Sequence, residues 1–322
     1  MSRSLLSLGS INADFQVRVD EPPGRAELLA GHDLRRLSGG KAANVAVLAR
    51  RLGHEARLFG RIGDDDLAEQ VLAPLRAAGV DLSGVRQRSG DGTSVAMIIV
   101  PPDGKKRIVA ANRANFDFDA ADIEAVEHGI AAADAGSVLV VDYEITPLAA
   151  SRAIAAARAR GLRVVIDPSP PGAVDKADLA QATALTPNES EALALTGIKG
   201  NGPDAILDAA HALARLGPPL VCIKLDDGGC LVRHGGRSWH QRAAPAKVVD
   251  ATGAGDAFTA AFALALLERR DVAEAARRAV AAAELAVAAY GAQPSYPDRA
   301  RWEARLALPR ECRSWPGEEA TD

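Results

Sequence analysis

Segment 248–258 contains the residue types that transfer of a phosphoryl group requires; it reads Val-Val-Asp-Ala-Thr-Gly-Ala-Gly-Asp-Ala-Phe. The two valines predict the end of a strand, and apolar residues at helical spacing from Ala257 onward predict a helix. The first N–H groups of a helix have no internal partner, and the helix dipole is positive at that end. Gly253, Ala254 and Gly255 therefore predict a turn whose backbone binds an anion, with glycine allowing a phosphate to approach closely.

Asp256 stands at this predicted anion site, where a carboxylate repels the ligand and needs a chemical reason to be present. The simplest reason is that Asp256 accepts the proton of a hydroxyl group that attacks the phosphoryl group. The turn of Gly253, Ala254 and Gly255 would stabilise the negative charge that develops during the attack. The segment therefore predicts phosphoryl transfer to an alcohol, with Asp256 as the catalytic base.

The rest of the chain supplies the elements that would position this turn. Helical and strand-like periods alternate along most of it. We expect strands at 5–8, 56–62, 137–142, 162–167, 182–185 and 219–225, a hairpin at about 229–242, and helices at 41–52, 67–78, 120–133, 147–160, 188–196, 203–216, 255–269 and 271–289. This alternation predicts an α/β fold with a doubly wound, mostly parallel sheet sandwiched by helices.

Four further strands, near 12–20, 28–38, 93–100 and 105–111, do not fit the parallel pattern because apolar and polar residues alternate along them. A small sheet with one apolar face needs a cover, so segments 12–38 and 93–111 predict either a lid over the substrate or a surface that packs on a second copy. Ala96 and Ile98, on one face of this sheet, would form an apolar wall against the substrate or only the core of the lid.

Composition excludes several classes of function. The 322 residues are 48% apolar and 25% charged, and the net charge of −4 gives no reason to expect nucleic acid or an anionic membrane as partner. Three widely spaced cysteines favour a reduced, cytoplasmic protein, and no signal segment is expected. Six scattered histidines do not predict a transition-metal site. Residues 1–310 are predicted to form one kinase domain and residues 311–322 a frayed tail.

Polar residues lie where ligands bind in open α/β sheets, just beyond the carboxyl ends of predicted strands. Asn12 and Asp14 are two apart on an extended segment and point the same way, so they suit the vicinal hydroxyls of a sugar, although an Asx-capped turn explains them equally well. Glu144 follows strand 137–142, where a ligand-binding acid and a solvated loop acid are equally good interpretations. In the sequence Gly39-Gly40-Lys41-Ala42-Ala43-Asn44, Lys41 opens a helix and Asn44 lies one turn into it.

Two signatures resemble those of the ribokinase (PfkB) family of carbohydrate kinases. Segment 250–256 is similar to the C-terminal signature and segment 39–44 to the N-terminal one, and the resemblance extends from Gly9 to about Leu306. It implies a ribokinase-like fold and an enzyme that transfers the γ-phosphoryl group of MgATP to the primary hydroxyl of a free sugar. Ribose is the favoured acceptor. Fructose, another hexose or a nucleoside remains an alternative acceptor. A sugar acid or sugar phosphate is a further alternative, with Arg107 and Arg113 binding its carboxylate or phosphate.

The resemblance also implies a role for each matched residue. The sugar would contact Asn12, Asp14, Gly39, Gly40, Lys41, Asn44 and Glu144. Asn188 and Glu191 have the spacing of a helix capping box, but the family's Asn-x-x-Glu motif implies that Glu191 positions Mg²⁺ through water. Lys224 and Gly229 would border the nucleotide, although Asp226 stands where a glycine is common. Asp250, Thr252, Gly291 and Ser295 match a monovalent-cation site, so K⁺ is a possible activator, although Ala251 replaces the usual threonine. The lid implies a homodimer.

Two rival classes fit the sequence less well. The run Gly253-Ala254-Gly255 begins like a dinucleotide fingerprint, but the third glycine is missing, which disfavours a dehydrogenase. A sugar-binding protein without catalytic activity would have no use for a base such as Asp256 at an anion site.

Overall fold

The computed structural model describes residues 3–24, 28–88 and 90–315. Their strands are β1 (Leu5–Leu8), β2 (Asn12–Val19), β3 (Gly31–Gly39), β4 (Ala56–Ile62), β5 (Asp81–Gln87), β6 (Ser94–Val100), β7 (Arg107–Ala111), β8 (Val138–Val141), β9 (Arg163–Ile166), β10 (Ala184–Leu185), β11 (Leu220–Lys224), β12 (Cys230–His234), β13 (Arg237–Gln241) and β14 (Cys312–Ser314). Their helices are α1 (Lys41–Arg51), α2 (Leu67–Ala77), α3 (Ala120–Ala131), α4 (Pro147–Ala159), α5 (Lys176–Leu179), α6 (Glu189–Thr196), α7 (Pro203–Arg215), α8 (Ala254–Leu267), α9 (Val272–Ala286), α10 (Ala292–Ser295) and α11 (Arg299–Leu306). None of these helices is long and apolar enough to cross a membrane.

The main sheet has the strand order β14-β13-β12-β11-β10-β9-β8-β1-β4-β5. Its central strands β1, β8 and β9 pair in parallel, and every residue of β1 and β8 is buried. Such continuous apolar burial is typical of strands that are covered on both faces. Helices α1, α8 and α9 contribute to the core on one face, and α3, α4, α6 and α7 to the core on the other. The predicted doubly wound, mostly parallel α/β fold is confirmed.

A second sheet, which we call the lid sheet, has the order β3-β2-β6-β7. It is mixed, because β2 pairs antiparallel with β3 but parallel with β6. On its inner face Ala96, Ile98 and Val100 are buried against Tyr290, and the partly buried Val249 packs on the same cluster. The small sheet predicted from the alternating segments is therefore confirmed, and it packs against the segment that leads into α8.

The two edges of the main sheet differ from the prediction. Residues 312–314 form β14, which pairs antiparallel with β13, and Trp315 is buried beside the ring of His240. The prediction of a frayed tail at 311–322 is therefore wrong for residues 312–315. These residues have no periodic pattern of their own, and they form a strand because the free edge of β13 pairs with them. Residues 316–322 lie outside the described residues. At the other edge β5 was missed, since a strand paired only with β4 is half-exposed and mostly polar.

Candidate active site

A cavity of about 850 Å³ lies between the carboxyl ends of the main-sheet strands and the lid sheet. Most of the residues predicted for the site line it: Asn12, Asp14, Gly40, Lys41, Asn44, Ala96, Ile98, Glu144, Asn188, Glu191, Lys224, Gly229, Thr252, Gly253, Ala254, Gly255 and Asp256. Gly39 lies directly behind the lining, because a Cβ atom at this position would stand 2.0 Å from a carboxylate oxygen of Asp14. The fold thus brings residues from seven separate segments of the chain to one cavity.

Asp256 lies in the first turn of α8, which begins at Ala254 after the N-cap residue Gly253. Gly253 adopts a left-handed φ of 75°, and a Cβ atom there would lie 2.6 Å from Cβ of Ala292. The turn therefore requires glycine for both conformation and space. The residues at the start of α8 line the cavity beside Asp256, and the Ala254 N–H donates to the carbonyl oxygen of Ala251 over 3.4 Å.

The Asp256 carboxylate is held by two groups from α1. Its Oδ2 accepts a hydrogen bond of 2.8 Å from Asn44 Nδ2, and its Oδ1 lies 3.5 Å from Lys41 Nζ. Asn44 is oriented in turn by Gln293, whose Nε2 donates to Asn44 Oδ1 over 3.1 Å. This chain of contacts holds the carboxylate in one orientation at the wall of the cavity, with an ammonium group beside it.

Three polar side chains form one end of the cavity. Asn12 Oδ1 accepts from Asn115 Nδ2 over 2.8 Å, and Glu144 Oε2 accepts from Ser10 Oγ over 2.8 Å. The Asp14 carboxylate receives no hydrogen bond from the described residues. Burial raises the pKa of Asp14 well above its ordinary value, and the nearby carboxylates of Glu144 and Asp256 raise it further. Hydroxyl groups of a ligand would supply the donors that this buried carboxylate lacks.

A buried acid that sequence reasoning missed joins the two lysines of the site. Asp167, at the end of β9, lies 3.1 Å from Lys224 Nζ through Oδ2 and 3.5 Å from Lys41 Nζ through Oδ1. Burial acts to raise the pKa of Asp167, but the two ammonium groups outweigh it and lower the pKa below its ordinary value. The rule that singled out Glu144, an acid just past a strand, would have found Asp167 as well.

Both interpretations of Asn188 and Glu191 are compatible with the structure. Asn188 Oδ1 accepts from the Glu191 backbone N–H, and Glu191 Oε2 accepts from the Asn188 backbone N–H, each over 2.8 Å. This is a complete capping box at the start of α6. The same two residues line the cavity, so Glu191 also faces any ligand there. In the loop after β11, Asp226 is exposed but also lines the cavity, so the conflict expected from a carboxylate near a triphosphate is not resolved.

The residues matched to a monovalent-cation site do lie together, but the carboxylate of Asp250 is occupied. Asp250 Oδ1 accepts from the backbone N–H and the hydroxyl group of Thr252, and Oδ2 accepts from the Gly291 N–H and the amide of Gln16. Ser295 Oγ donates to the carbonyl group of Ala292. A carboxylate with four donors has no free position for a metal ion, so in this arrangement Asp250 does not fit the role of a K⁺ ligand.

Comparison with known proteins decides the family. The profile of the pfkB family carbohydrate kinases matches residues 2–299. The chain belongs to this family. Membership makes the chain a carbohydrate kinase, that is, a phosphotransferase that acts on a sugar hydroxyl. The sequence of the anion turn and Asp256 predicts the same reaction.

Individual relatives agree with this membership. The ribokinase of Haemophilus influenzae is 33% identical over 300 residues, which cover 93% of the carbohydrate kinase and 97% of that relative. The structure of Arabidopsis thaliana ribokinase complexed with ribose and ATP is similar with a TM-score of 0.81 and 31% identity, covering 96% of this chain and 100% of the other. A ribokinase from Thermotoga maritima gives a TM-score of 0.82 at 28% identity, covering 95% of this chain and 100% of the other.

Proposed function

We propose that this carbohydrate kinase transfers the γ-phosphoryl group of ATP to the primary hydroxyl of ribose. The observation that carries the proposal is the position of Asp256, at the amino end of α8 and on the wall of the cavity that also exposes Asp14 and Glu144. The similarity to ribokinases over nearly the whole chain supports ribose as the acceptor.

The geometry suggests how the reaction would proceed. Ribose would lie against Asn12, Asp14 and Glu144, with its primary hydroxyl directed at Asp256. As that oxygen forms a bond to the γ-phosphorus, Asp256 accepts its proton, and the ADP oxygen leaves on the opposite side of the phosphoryl group. The backbone N–H groups of Gly253, Ala254 and Gly255 stabilise the transferred oxygens. The lid sheet excludes water from the reacting atoms.

Mg²⁺ is expected with the nucleotide, and Glu191, which lines the cavity, fits it. Glu191 would hold the ion through water, as the sequence suggests. Asp167 does not line the cavity, and its two carboxylate oxygens lie beside Lys41 and Lys224. When bound, the metal ion neutralises charge on the phosphate oxygens.

The other acceptors are less well supported. Arg107 and Arg113, which would serve a sugar acid or sugar phosphate, do not line the cavity, and Arg113 instead lies 3.6 Å from Asp65. A nucleoside or a hexose would use the same polar groups as ribose. A binding protein without activity is disfavoured, because it would have no use for a carboxylate such as Asp256 at an anion site.

We also propose that the lid sheet pairs two copies of the chain. Its outer face carries large apolar side chains that are exposed in one copy; Leu34 is 66%, Met97 58% and Val109 67% exposed. Apolar patches of this kind on a sheet commonly mark an interface between chains. Activation by K⁺ stays a prediction, and in the present arrangement the ion would first have to displace a donor, such as the Gln16 amide, from Asp250.

The acceptor can be tested by a coupled assay of ADP release with ribose, 2-deoxyribose, fructose, gluconate and inosine. We expect ribose to give the highest kcat/KM and ribose 5-phosphate to be the product identified by NMR. A preference of tenfold or more for another acceptor would replace ribose in the proposal. No transfer to any acceptor, with ribose binding intact, would instead favour the binding protein.

A further inference from the structure

The loop between β6 and β7 makes two direct contacts with the peptide groups of Ala251. The Ala251 backbone N–H donates to the carbonyl oxygen of Gly104 over 3.2 Å. Lys106 Nζ donates to the carbonyl oxygen of Ala251 over 3.1 Å. Ala251 lies two residues before Gly253, so the lid loop holds the chain where it enters the anion turn. The hydrophobic pattern of the sequence gives no sign of Lys106, since a lysine in a polar hairpin loop usually faces solvent.

Four lysines line the cavity: Lys41, Lys105, Lys106 and Lys224. Lys41 and Lys224 are paired with Asp167, and Lys41 also with Asp256, whereas Lys105 is exposed. Lys106 is half-buried and has no carboxylate oxygen within 4 Å among the described residues. Burial lowers the pKa of Lys106, and although Asp256 acts in the opposite direction, Lys41 and Lys224 lower it further. The site therefore contains a half-buried ammonium group that the described residues leave without an anionic partner.

An ammonium group has three N–H donors, and the Ala251 carbonyl takes one of them. The remaining two are free to bind a ligand in the cavity. A neutral sugar offers no charge to match them, whereas the phosphate group that occupies the anion turn does. Since Lys106 is attached to the peptide just before that turn, its ammonium group lies on the phosphate side of the cavity rather than at the Asp14 end.

We infer that Lys106 is a phosphate-binding residue that the lid contributes to the terminal phosphate of the nucleoside triphosphate. The inference rests on the proposed function for the identity of the phosphate donor. It assigns to the lid a part in nucleotide binding in addition to covering the sugar. The γ-phosphate would be bound from two sides, by the N–H groups of α8 and by Lys106, and the second contact forms only while the lid loop is docked on Ala251.

The inference predicts an effect that depends on the number of phosphates. A hydrogen bond to a charged group is worth roughly 10- to 100-fold in affinity, so Lys106→Met should weaken binding of β,γ-imido-ATP by about that factor. ADP lacks the terminal phosphate, and its affinity should change by less than about threefold. Isothermal titration with ribose present measures both constants without any turnover.

Three further variants separate the charge from the structural hydrogen bond. Lys106→Gln keeps a donor for the Ala251 carbonyl but removes the charge, and it should behave like Lys106→Met. Lys106→Arg should recover most of the affinity for β,γ-imido-ATP. Lys199→Met removes the same charge from an exposed position that does not line the cavity and should match the wild type. If Lys106→Met fails to fold, the pair of Gln and Arg variants still decides between the two roles.

The inference is overturned if Lys106→Gln binds β,γ-imido-ATP as the wild type does, or if the Lys106 variants lose ADP and β,γ-imido-ATP affinity equally. Both results would mean that Lys106 only braces the loop. Its failure is distinct from that of the proposed function. A wild-type protein that binds β,γ-imido-ATP but phosphorylates no sugar would refute the kinase activity while leaving the titrations interpretable.

Discussion

Replacement of Asp14 by asparagine should stabilise the ligand-free protein and weaken sugar binding at the same time. The pKa of this buried carboxyl is raised by burial first and by Glu144 and Asp256 next. A group whose pKa is higher in the folded chain stabilises the fold at low pH, and this contribution is lost as the pH rises through the folded pKa. At neutral pH, Asp14 therefore lowers the free energy of unfolding, and an amide of the same shape does not.

The expected change in Tm depends on the elevation of the pKa and on the size of the domain. Each unit of pKa elevation corresponds to about 1.4 kcal/mol of unfolding free energy at a pH above the folded pKa. For a large domain, ~1 kcal/mol shifts Tm by roughly 2–4 °C. We expect Asp14→Asn to raise Tm by about 2 °C or more at pH 8. The gain should shrink as the pH falls toward 4, close to the ordinary pKa of 3.8, because the side chain is then protonated in the folded chain and about half protonated in the unfolded chain.

The same substitution removes an anionic acceptor from the sugar end of the cavity. Because loss of a charged hydrogen bond costs about 1.5–3 kcal/mol, KM for ribose should rise by about 10- to 100-fold. Differential scanning calorimetry between pH 4 and 8 and the coupled assay measure the two effects, with the exposed Asp208→Asn as the control. A variant less stable than the wild type at pH 8, a Tm gain as large at pH 4 as at pH 8, or an unchanged KM for ribose would refute the reasoning.

Three other substitutions test the rest of the site. Asp256→Asn should lower kcat by about 10² or more with little change in KM for ribose, because the amide cannot accept the proton; near-normal turnover would contradict its role as base. Gly253→Ala should lower Tm and weaken binding of β,γ-imido-ATP, since the added methyl group meets Ala292 and the backbone has a positive φ; an unchanged titration would show that the turn tolerates a side chain. Asp167→Asn should lower the free energy of unfolding at pH 7 by about 3 kcal/mol, because it leaves the half-buried Lys224 without its carboxylate and removes one of the two carboxylates beside Lys41. A denaturation midpoint equal to that of the wild type would show that the lysines do not depend on Asp167.

The sequence alone predicts those parts of the site that depend on local chemistry. The anion turn is visible because Gly253, Ala254 and Gly255 combine a strand end, small residues and a helix start. The capping box of Asn188 and Glu191 can also be predicted from local sequence, because its two residues are three apart at a helix start. Their spacing alone does not show that both residues line the cavity.

Residues whose role depends on distant neighbours were harder to predict. Lys106 acquires its environment only when the lid loop docks on Ala251, about 145 residues further along the chain. The occupation of Asp250 by the Gln16 amide likewise joins two segments that no local pattern connects. Strand β14 forms because it pairs with the edge strand β13, and its own residues show no strand-like pattern.

The short connection between β1 and β2 has a consequence for the fate of ATP when no sugar is present. β1 belongs to the rigid central sheet and ends at Leu8, whereas β2 begins at Asn12 and is already a strand of the lid. Asn12 and Asp14 therefore belong to the lid sheet, and a sugar bound between them and Glu144 would contact both layers. Water is too small to bridge the two layers, so we expect hydrolysis of ATP to be slow when no sugar is present, although water is the more abundant nucleophile.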